Sequence, residues 1–363
     1  MIKDLVKNLV GFTTKRKLLV ISVDDYGNVR IGSQQALQNL EKNGLKKRSI
    51  FDQYDALETE EDLLSLFEVL NSVKDKNNRP ACFTPFALAG NIDFERIIES
   101  GYQSYFFESL KDTFEKLNEF KTYELIKEGI RNKVFLPQFH GREHVNVSLF
   151  GKLLAEKNKS MMLNIDNRSF SMIKDENGKN LPYSIAFHAQ DYGSIEKQKE
   201  IIAHGIKVFK EVYGYSPSNF MPPSATASLE LNNSLFTNGI RFFDSYRFRS
   251  NPSTFLNKEY IYTGKRVHDS HTSYLVRNVV FEPCHSQTSD SVGMALQQIR
   301  AAFTMGKPAI VSSHRVNFCG RIDEGNRAFG LNSLKRLLLE VKKRWPEVEF
   351  ISAAELGEII TDK

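Results

Sequence analysis

Short apolar runs recur along this chain, and each gives way to polar residues that can do chemistry. The first is LLVISV at 18–23, which ends at Asp24-Asp25-Tyr26-Gly27-Asn28. An apolar run of this length predicts a strand buried on both faces. ACFTPFALAG, from Ala81, predicts a second strand whose end Pro85 makes irregular. VFLPQF, before His140, predicts a third. Further strand candidates are MMLNID (161–166), SNFMPPSATAS (218–228), GIRFFDSYRF (239–248), LVRNVVFEP (275–283), PAIVSSH (308–314) and VEFIS (348–352).

Helical periodicity fills the spaces between them. It is read at 32–43, 60–74, most of 93–130, 148–158, 196–213, 291–305 and 331–344. Lys174 to Pro182 is the clearest loop. Alternating strands and helices predict a parallel sheet. Seven or so such units without a linker suggest closure. The expected fold class is therefore α/β, a distorted (β/α)7-type barrel. It is read as a single domain over 1–363, with its motif-bearing core at 17–357 and helical insertions at 45–78 and 100–130.

Composition narrows the function classes. The 363 residues are 41% hydrophobic and 26% charged, which fits a globular protein with an ample core. The net charge of +5 is mild, and the basic residues are dispersed, so no nucleic-acid surface is expected. Three scattered cysteines cannot frame a disulfide scaffold or a Cys-rich zinc site. The opening MIKDLVKNLVGF lacks the apolar core and cleavage site of a signal peptide, and no stretch is long enough to span a membrane. The expected location is cytoplasmic. Oligomeric state is not readable.

The chemistry-bearing residues cluster just past strand ends, where α/β barrels build their sites. His140 and His144 would share a face if Gly141 to His144 began a helix. Two imidazoles at a strand end suit a divalent metal, whose catalytic sites use three protein ligands and one open position. Asp24-Asp25 reads either as a helix cap or turn or as part of such a site; the adjacency favours the site. His314 ends a late strand. His188 and His285 also follow apolar runs, and Asp191 and Asp244 are weaker candidates of the same kind. His204, His268 and His271 read as structural. The stretch HGREH also matches the inverted zincin pattern, with Glu143 as base, but that motif needs a continuous helix, which Gly141 disfavours.

With these residues placed, the chain resembles the polysaccharide deacetylases of the NodB-homology type, carbohydrate esterase family 4. The resemblance rests on four motifs in order. These are Ser22-Val23-Asp24-Asp25-Tyr26-Gly27, the His140/His144 pair, Met221-Pro222-Pro223-Ser224, and Val311-Ser312-Ser313-His314. The paired-Asp form is also similar to that of the neighbouring YdjC-like diacetylchitooligosaccharide deacetylases.

The resemblance implies metal-dependent hydrolysis of an N- or O-acetyl group on a carbohydrate. It assigns Asp25, His140 and His144 to the metal (zinc first, then cobalt, nickel or iron), Asp24 to the general base and His314 to the general acid. Tyr26, Arg142, Pro223, Ser224, His188 and His285 are candidates for substrate or oxyanion contacts, Ser224 through its backbone N–H. Two departures stand out. Tyr26 precedes the glycine that the family has directly after its Asp pair. Met221 stands where the family has the Arg that orients the base, and Arg142 and Arg168 are the candidates to replace it. A binding protein on an inactive deacetylase fold is the alternative this second departure suggests. A cytoplasmic setting would suit a nucleotide-linked, lipid-linked or small oligosaccharide substrate.

Overall fold

A computed structural model describes residues 2–187, 195–250, 258–267, 272–285 and 289–362. The apolar runs assemble into one sheet. Its strands are β1 (Lys17–Tyr26), β2 (Thr84–Leu88), β3 (Gln138–Gly141), β4 (Asn219–Phe220), β5 (Phe242–Ser245), β6 (Ser273–Val276), β7 (Val279–Val280), β8 (Ala309–His314) and β9 (Val348–Phe350). The hydrogen-bonded order is β6-β5-β4-β3-β2-β1-β8-β7, with β9 beside the start of β1. Every pair in this sheet is parallel.

One stretch of chain bridges the two ends of the sheet. Ser273–Val276 pairs with β5, whereas Val279–Val280 pairs with β8. At the changeover Arg277 donates its N–H to the Ser245 carbonyl and Asn278 donates to the Ile310 carbonyl, each at 3.1 Å. The sequence run 275–283 is thus two short strands, and the sheet curls back on itself around them.

Alternate residues of β1 serve different layers, as the two-residue strand period requires. Leu19, Ile21 and Val23 join the main core with the surrounding helices. Leu18 and Val20 face inward with Phe242, Leu275 and Ile310, and the helix Ala353–Thr361 adds Leu356 to them. Ser22 continues the inward face and donates to Asp244 of β5 at 3.3 Å. β1 and β5 are separated by three strands in the sheet, so this bond crosses the interior. The inner face of β1 therefore runs from apolar at its start to polar at its end, where Asp24 lies.

Three expectations are corrected. MMLNID is not a strand but part of the helix Lys159–Asp166, which Asn158 caps by accepting the Met161 N–H. Its buried residues Met161 and Ile165 are four apart, the helical period. The last long helix begins at Glu324 rather than 331, capped by Asp323. No helix starts at Gly141. Residues 142–145 form a bend, and the next helix is Val147–Ala155.

Candidate metal and acid–base centre

Two bulges aim the key side chains. In a regular strand Asp24 and Asp25 would point to opposite faces. The β1–β2 register shifts between Val23 and Tyr26, and Asp25 takes a positive φ of 76°. This irregularity turns both carboxylates toward one site. A second register shift places His140 opposite no residue of β2, and Gly141 follows at φ 137°. That backbone turn carries His144 back over His140. The two imidazoles converge through a bulge and a bend, not through a helical turn.

Asp25, His140 and His144 meet at one point. Asp25 Oδ1 lies 3.3 Å from His140 Nε2 and 3.2 Å from His144 Nε2. Ligand atoms of all three residues lie within 4.8 Å of one another. Burial alone would raise the Asp25 carboxyl, but hydrogen bonds from the two imidazoles outweigh it and hold the group well below the usual carboxylate range. His140 Nδ1 lies 2.7 Å from the Met221 carbonyl, and as the donor there it would offer its Nε2 lone pair to an ion beside Asp25 in place of the hydrogen bond to the carboxylate. Metal-ligating histidines are oriented by this kind of second hydrogen bond. Two such nitrogens and one carboxylate oxygen fit a divalent ion with an open position.

Asp24 sits in a second, adjoining arrangement. Arg277 grips it with both arms, Nη1 to Oδ2 at 2.6 Å and Nη2 to Oδ1 at 2.7 Å. Arg277 Nε also reaches Asp244 Oδ1 at 3.4 Å. Burial pushes the Asp244 carboxyl up to about 6 despite Arg277. On the other side of Asp24, the β1–β8 register places His314 directly opposite. His314 Nε2 is 3.8 Å from Asp24 Oδ2, and Nδ1 is 2.6 Å from Glu282 Oε1. Burial would lower the His314 pKa, but the Glu282 carboxylate outweighs it and holds the ring well above its ordinary range. The Phe51 ring meets His314 edge-on at 5.1 Å.

The other sequence candidates lie elsewhere. Tyr26 is buried with its ring edge-on to Phe135 at 5.0 Å. Arg142 donates to Glu143 at 2.6 Å and covers the Phe107 ring. Glu143 is thus paired with Arg142, and the helix that the zincin pattern requires is absent from this described stretch. Arg168 pairs with Glu95 at 2.6 Å. Neither arginine replaces the family Arg at Met221; Arg277 reaches Asp24 instead. Pro223 is buried, and Ser224, at φ 56°, donates its hydroxyl to the Ser184 carbonyl at 3.2 Å. His285 is exposed and 3.6 Å from Glu282. His188 and Asp191 lie outside the described residues, as do His268 and His271. A second acidic convergence, Asp93, Glu95 and Glu108, already holds Lys116, which lies 2.8 Å from Asp93 and 2.5 Å from Glu108.

Two residues escaped the sequence reading, Arg277 and Glu282, while Asp244 stood only as a weak candidate. The signal was present, since each of the three is a charge embedded in an apolar run (LVRNVV, VVFEP, FFDS). Charges in buried strands need partners, and three isolated ones predict one network.

No family model and no curated protein matches the chain. Solved structures do. A protein assigned as a glycoside hydrolase/deacetylase from Parabacteroides distasonis aligns over 96% of this chain and 72% of its own at TM-score 0.52 and 9% identity. One assigned as a polysaccharide deacetylase from Mycobacterium smegmatis aligns over 97% and 93% at TM-score 0.48 and 13% identity. No helix among the described residues is long and apolar enough to cross a membrane. The likeness is one of architecture, and the chain has the deacetylase-type (β/α) barrel fold.

Proposed function

We propose that this chain is a metal-dependent hydrolase that removes an acetyl group, N-linked in the first instance, from a carbohydrate. The observation that carries the reading is the bulged Asp24-Asp25 pair. One carboxylate faces two imidazoles and its neighbour faces an arginine and a third histidine. Asp25, His140 and His144 would hold the ion; zinc suits this donor set, as do cobalt, nickel and iron(II). Such an ion would supply a water of lowered pKa and polarise an acyl oxygen.

The remaining steps belong to the chain. Asp24, fixed by Arg277, accepts the proton of the attacking water. His314, kept protonated beside Glu282, gives a proton to the leaving amine. The backbone turn at Pro223-Ser224 is the candidate donor to the oxyanion. The inactive-scaffold alternative rested on Met221 in place of an arginine; the Arg277 grip on Asp24 favours the enzyme reading over it.

The first experiment is elemental analysis of wild type and His140→Ala, followed by acetate release from N-acetylated sugars. We expect about one equivalent of metal in wild type, lost in the variant. Asp24→Asn should keep the metal and lose turnover. Glu143→Gln should leave turnover intact, which separates this activity from a peptidase. Wild type that takes up no metal even after added zinc would falsify the reading.

A further inference from the structure

We propose that the substrate carries an anionic group, a phosphate ester or a carboxylate, close to the scissile acyl group, and that Arg30 receives it. The inference rests on the hydrolase reading of the Asp24-Asp25 centre. Its carrier is a contrast among three arginines whose side chains are buried around that centre.

Two of the three are paired at all three of their guanidinium nitrogens. Arg277 is gripped by Asp24 and Asp244. Arg315 donates to Asp55 at 2.8 and 3.2 Å and to Glu58 at 2.8 Å. The third, Arg30, is not. Its side chain is only 15% exposed, yet its single carboxylate contact is Nη2 to Asp52 Oδ1 at 3.5 Å. Its Nε has no hydrogen-bond partner. Asp52 has little left to offer. Its Oδ1 accepts the Ser171 hydroxyl at 2.7 Å, and its Oδ2 accepts the Arg48 N–H at 3.2 Å and the Ser49 hydroxyl at 3.3 Å. A guanidinium is a rigid fork of five donors, always charged and matched to carboxylate or phosphate. Leaving such donors dry and unpaired is costly, so an unfilled one calls for an explanation.

Position supplies the explanation. Arg30 follows Asp25 by five residues, on the segment that leaves the end of β1. Its guanidinium carbon lies 5.3 Å from the centre of the Phe51 ring. The His314 ring contacts that same ring at 5.1 Å. One benzene ring therefore touches both the proposed proton donor and the underpaired cation. In an acylated amino sugar, the substituents on the two ring carbons flanking the amine stand next to the acyl group. A phosphate on the anomeric oxygen, or a carboxylate on the ether oxygen on the other side, is the anion that Arg30, beside the same Phe51 ring as His314, would receive.

The test is calorimetric binding to the zinc-loaded full chain, made in the Asp24→Asn background so that nothing turns over. The probes are N-acetylglucosamine, its 1-phosphate and N-acetylmuramic acid. One charge-assisted contact predicts that a charged sugar binds about 10- to 100-fold tighter than the neutral one. Whichever charged probe gains identifies the source of the anion. The ratio of charged to neutral binding should collapse to within about twofold in Arg30→Gln. Arg30→Lys, which keeps the charge but loses the fork, should retain part of it. In case neither variant folds, inorganic phosphate should compete with the charged sugar, and not with the neutral one, in the parent chain. Charged sugars that bind no tighter than the neutral one overturn the proposal, as does a preference that survives Arg30→Gln. A charge preference with no acetate release from any sugar would retire the hydrolase reading and leave the Arg30 subsite standing. Acetate release without a charge preference would do the reverse.

Discussion

Arg277 holds Asp24 from across the seam of the sheet, giving one N–H to each carboxylate oxygen at 2.6 and 2.7 Å. It can do so because it sits between β6 and β7, where the chain stops pairing with β5 and begins pairing with β8. A side chain at that changeover points across the inner face of the sheet toward the end of β1. In the family this chain resembles, the orienting Arg belongs to the strand whose counterpart here ends at Met221. Here the Met221 backbone carbonyl lies against His140 Nδ1, and Asp24 is held by Arg277 from another part of the sheet.

Arg277→Met should therefore damage both fold and turnover. It leaves Asp24 and Asp244 buried without their cation, and breaking a buried pair in this way costs about 3–5 kcal/mol. Turnover should fall by at least about 100-fold, in line with the loss of a positioned general base. Metal content should stay near one equivalent, because the Asp25 ligand set is untouched. Adding Asp244→Asn should recover part of the stability and none of the turnover. Denaturant melts, elemental analysis and kcat measured on the same samples separate these effects.

The sequence carried the outline of this centre, because Asp24, Asp25, His140, His144 and His314 all sit at or just past the ends of apolar runs. It missed the geometry because bulges are not written in hydrophobic pattern. A strict two-residue period would send Asp24 and Asp25 to opposite faces, and only the backbone at Asp25 reconciles them. The helix expected at Gly141 failed for a related reason. A spacing of four predicts one helical turn, whereas a bulged strand and a bend bring His144 to the same place. Arg277 was missed because a strand that changes partners midway reads as a single run.

Asp244 should make stability depend on pH in an unusual direction. Its folded carboxyl is pushed up to about 6 from an ordinary 3.8, chiefly by burial. Between those values the folded state keeps a proton that the unfolded chain releases. The contribution of Asp244 to stability is thus favourable at low pH and falls as pH rises through this window. A shift of this size corresponds to about 3 kcal/mol. Asp244→Asn does not titrate. Its stability relative to wild type should therefore improve from pH 4 to pH 7, measured by denaturant unfolding of metal-free protein. A difference that is flat across that range would refute the assignment.

Glu282 should set the alkaline limb of the pH–rate profile. A histidine held above its ordinary pKa donates a proton up to that raised value and loses the capacity as pH rises through it. In wild type the Glu282 carboxylate, 2.6 Å from His314 Nδ1, outweighs burial and provides that raised value. Glu282→Gln removes the charge and keeps the shape, so the His314 pKa falls and the alkaline limb of kcat should move to lower pH. The same variant should lose little rate at the acid end, where His314 is protonated in either case. An unmoved limb would remove His314 from the role of proton donor.

Gly330 offers a test of how firmly the helix Glu324–Arg344 supports that donor. Alanine normally strengthens a helix interior by up to about 1 kcal/mol over glycine. Gly151, in the helix Val147–Ala155, has nothing within 4 Å of where a methyl would go, so Gly151→Ala should show that gain. At Gly330 a methyl would drive into the Asn317 carbonyl oxygen, with Cys284 Sγ 3.6 Å away. Asn317 cannot yield freely. Its amide donates to Glu282 at 2.5 Å and to the His314 carbonyl at 3.0 Å, and its side-chain oxygen accepts the Cys284 N–H at 3.0 Å. Overpacking of this kind costs about 1–3 kcal/mol, more than the helix gains. Gly330→Ala should thus lower the melting temperature where Gly151→Ala raises it. Because the displaced group is the one that fixes Glu282, it should also shift the alkaline limb of kcat toward that of Glu282→Gln. A Gly330→Ala protein with a raised melting temperature and an unchanged limb would mean that the turn at 315–318 moves without disturbing the site.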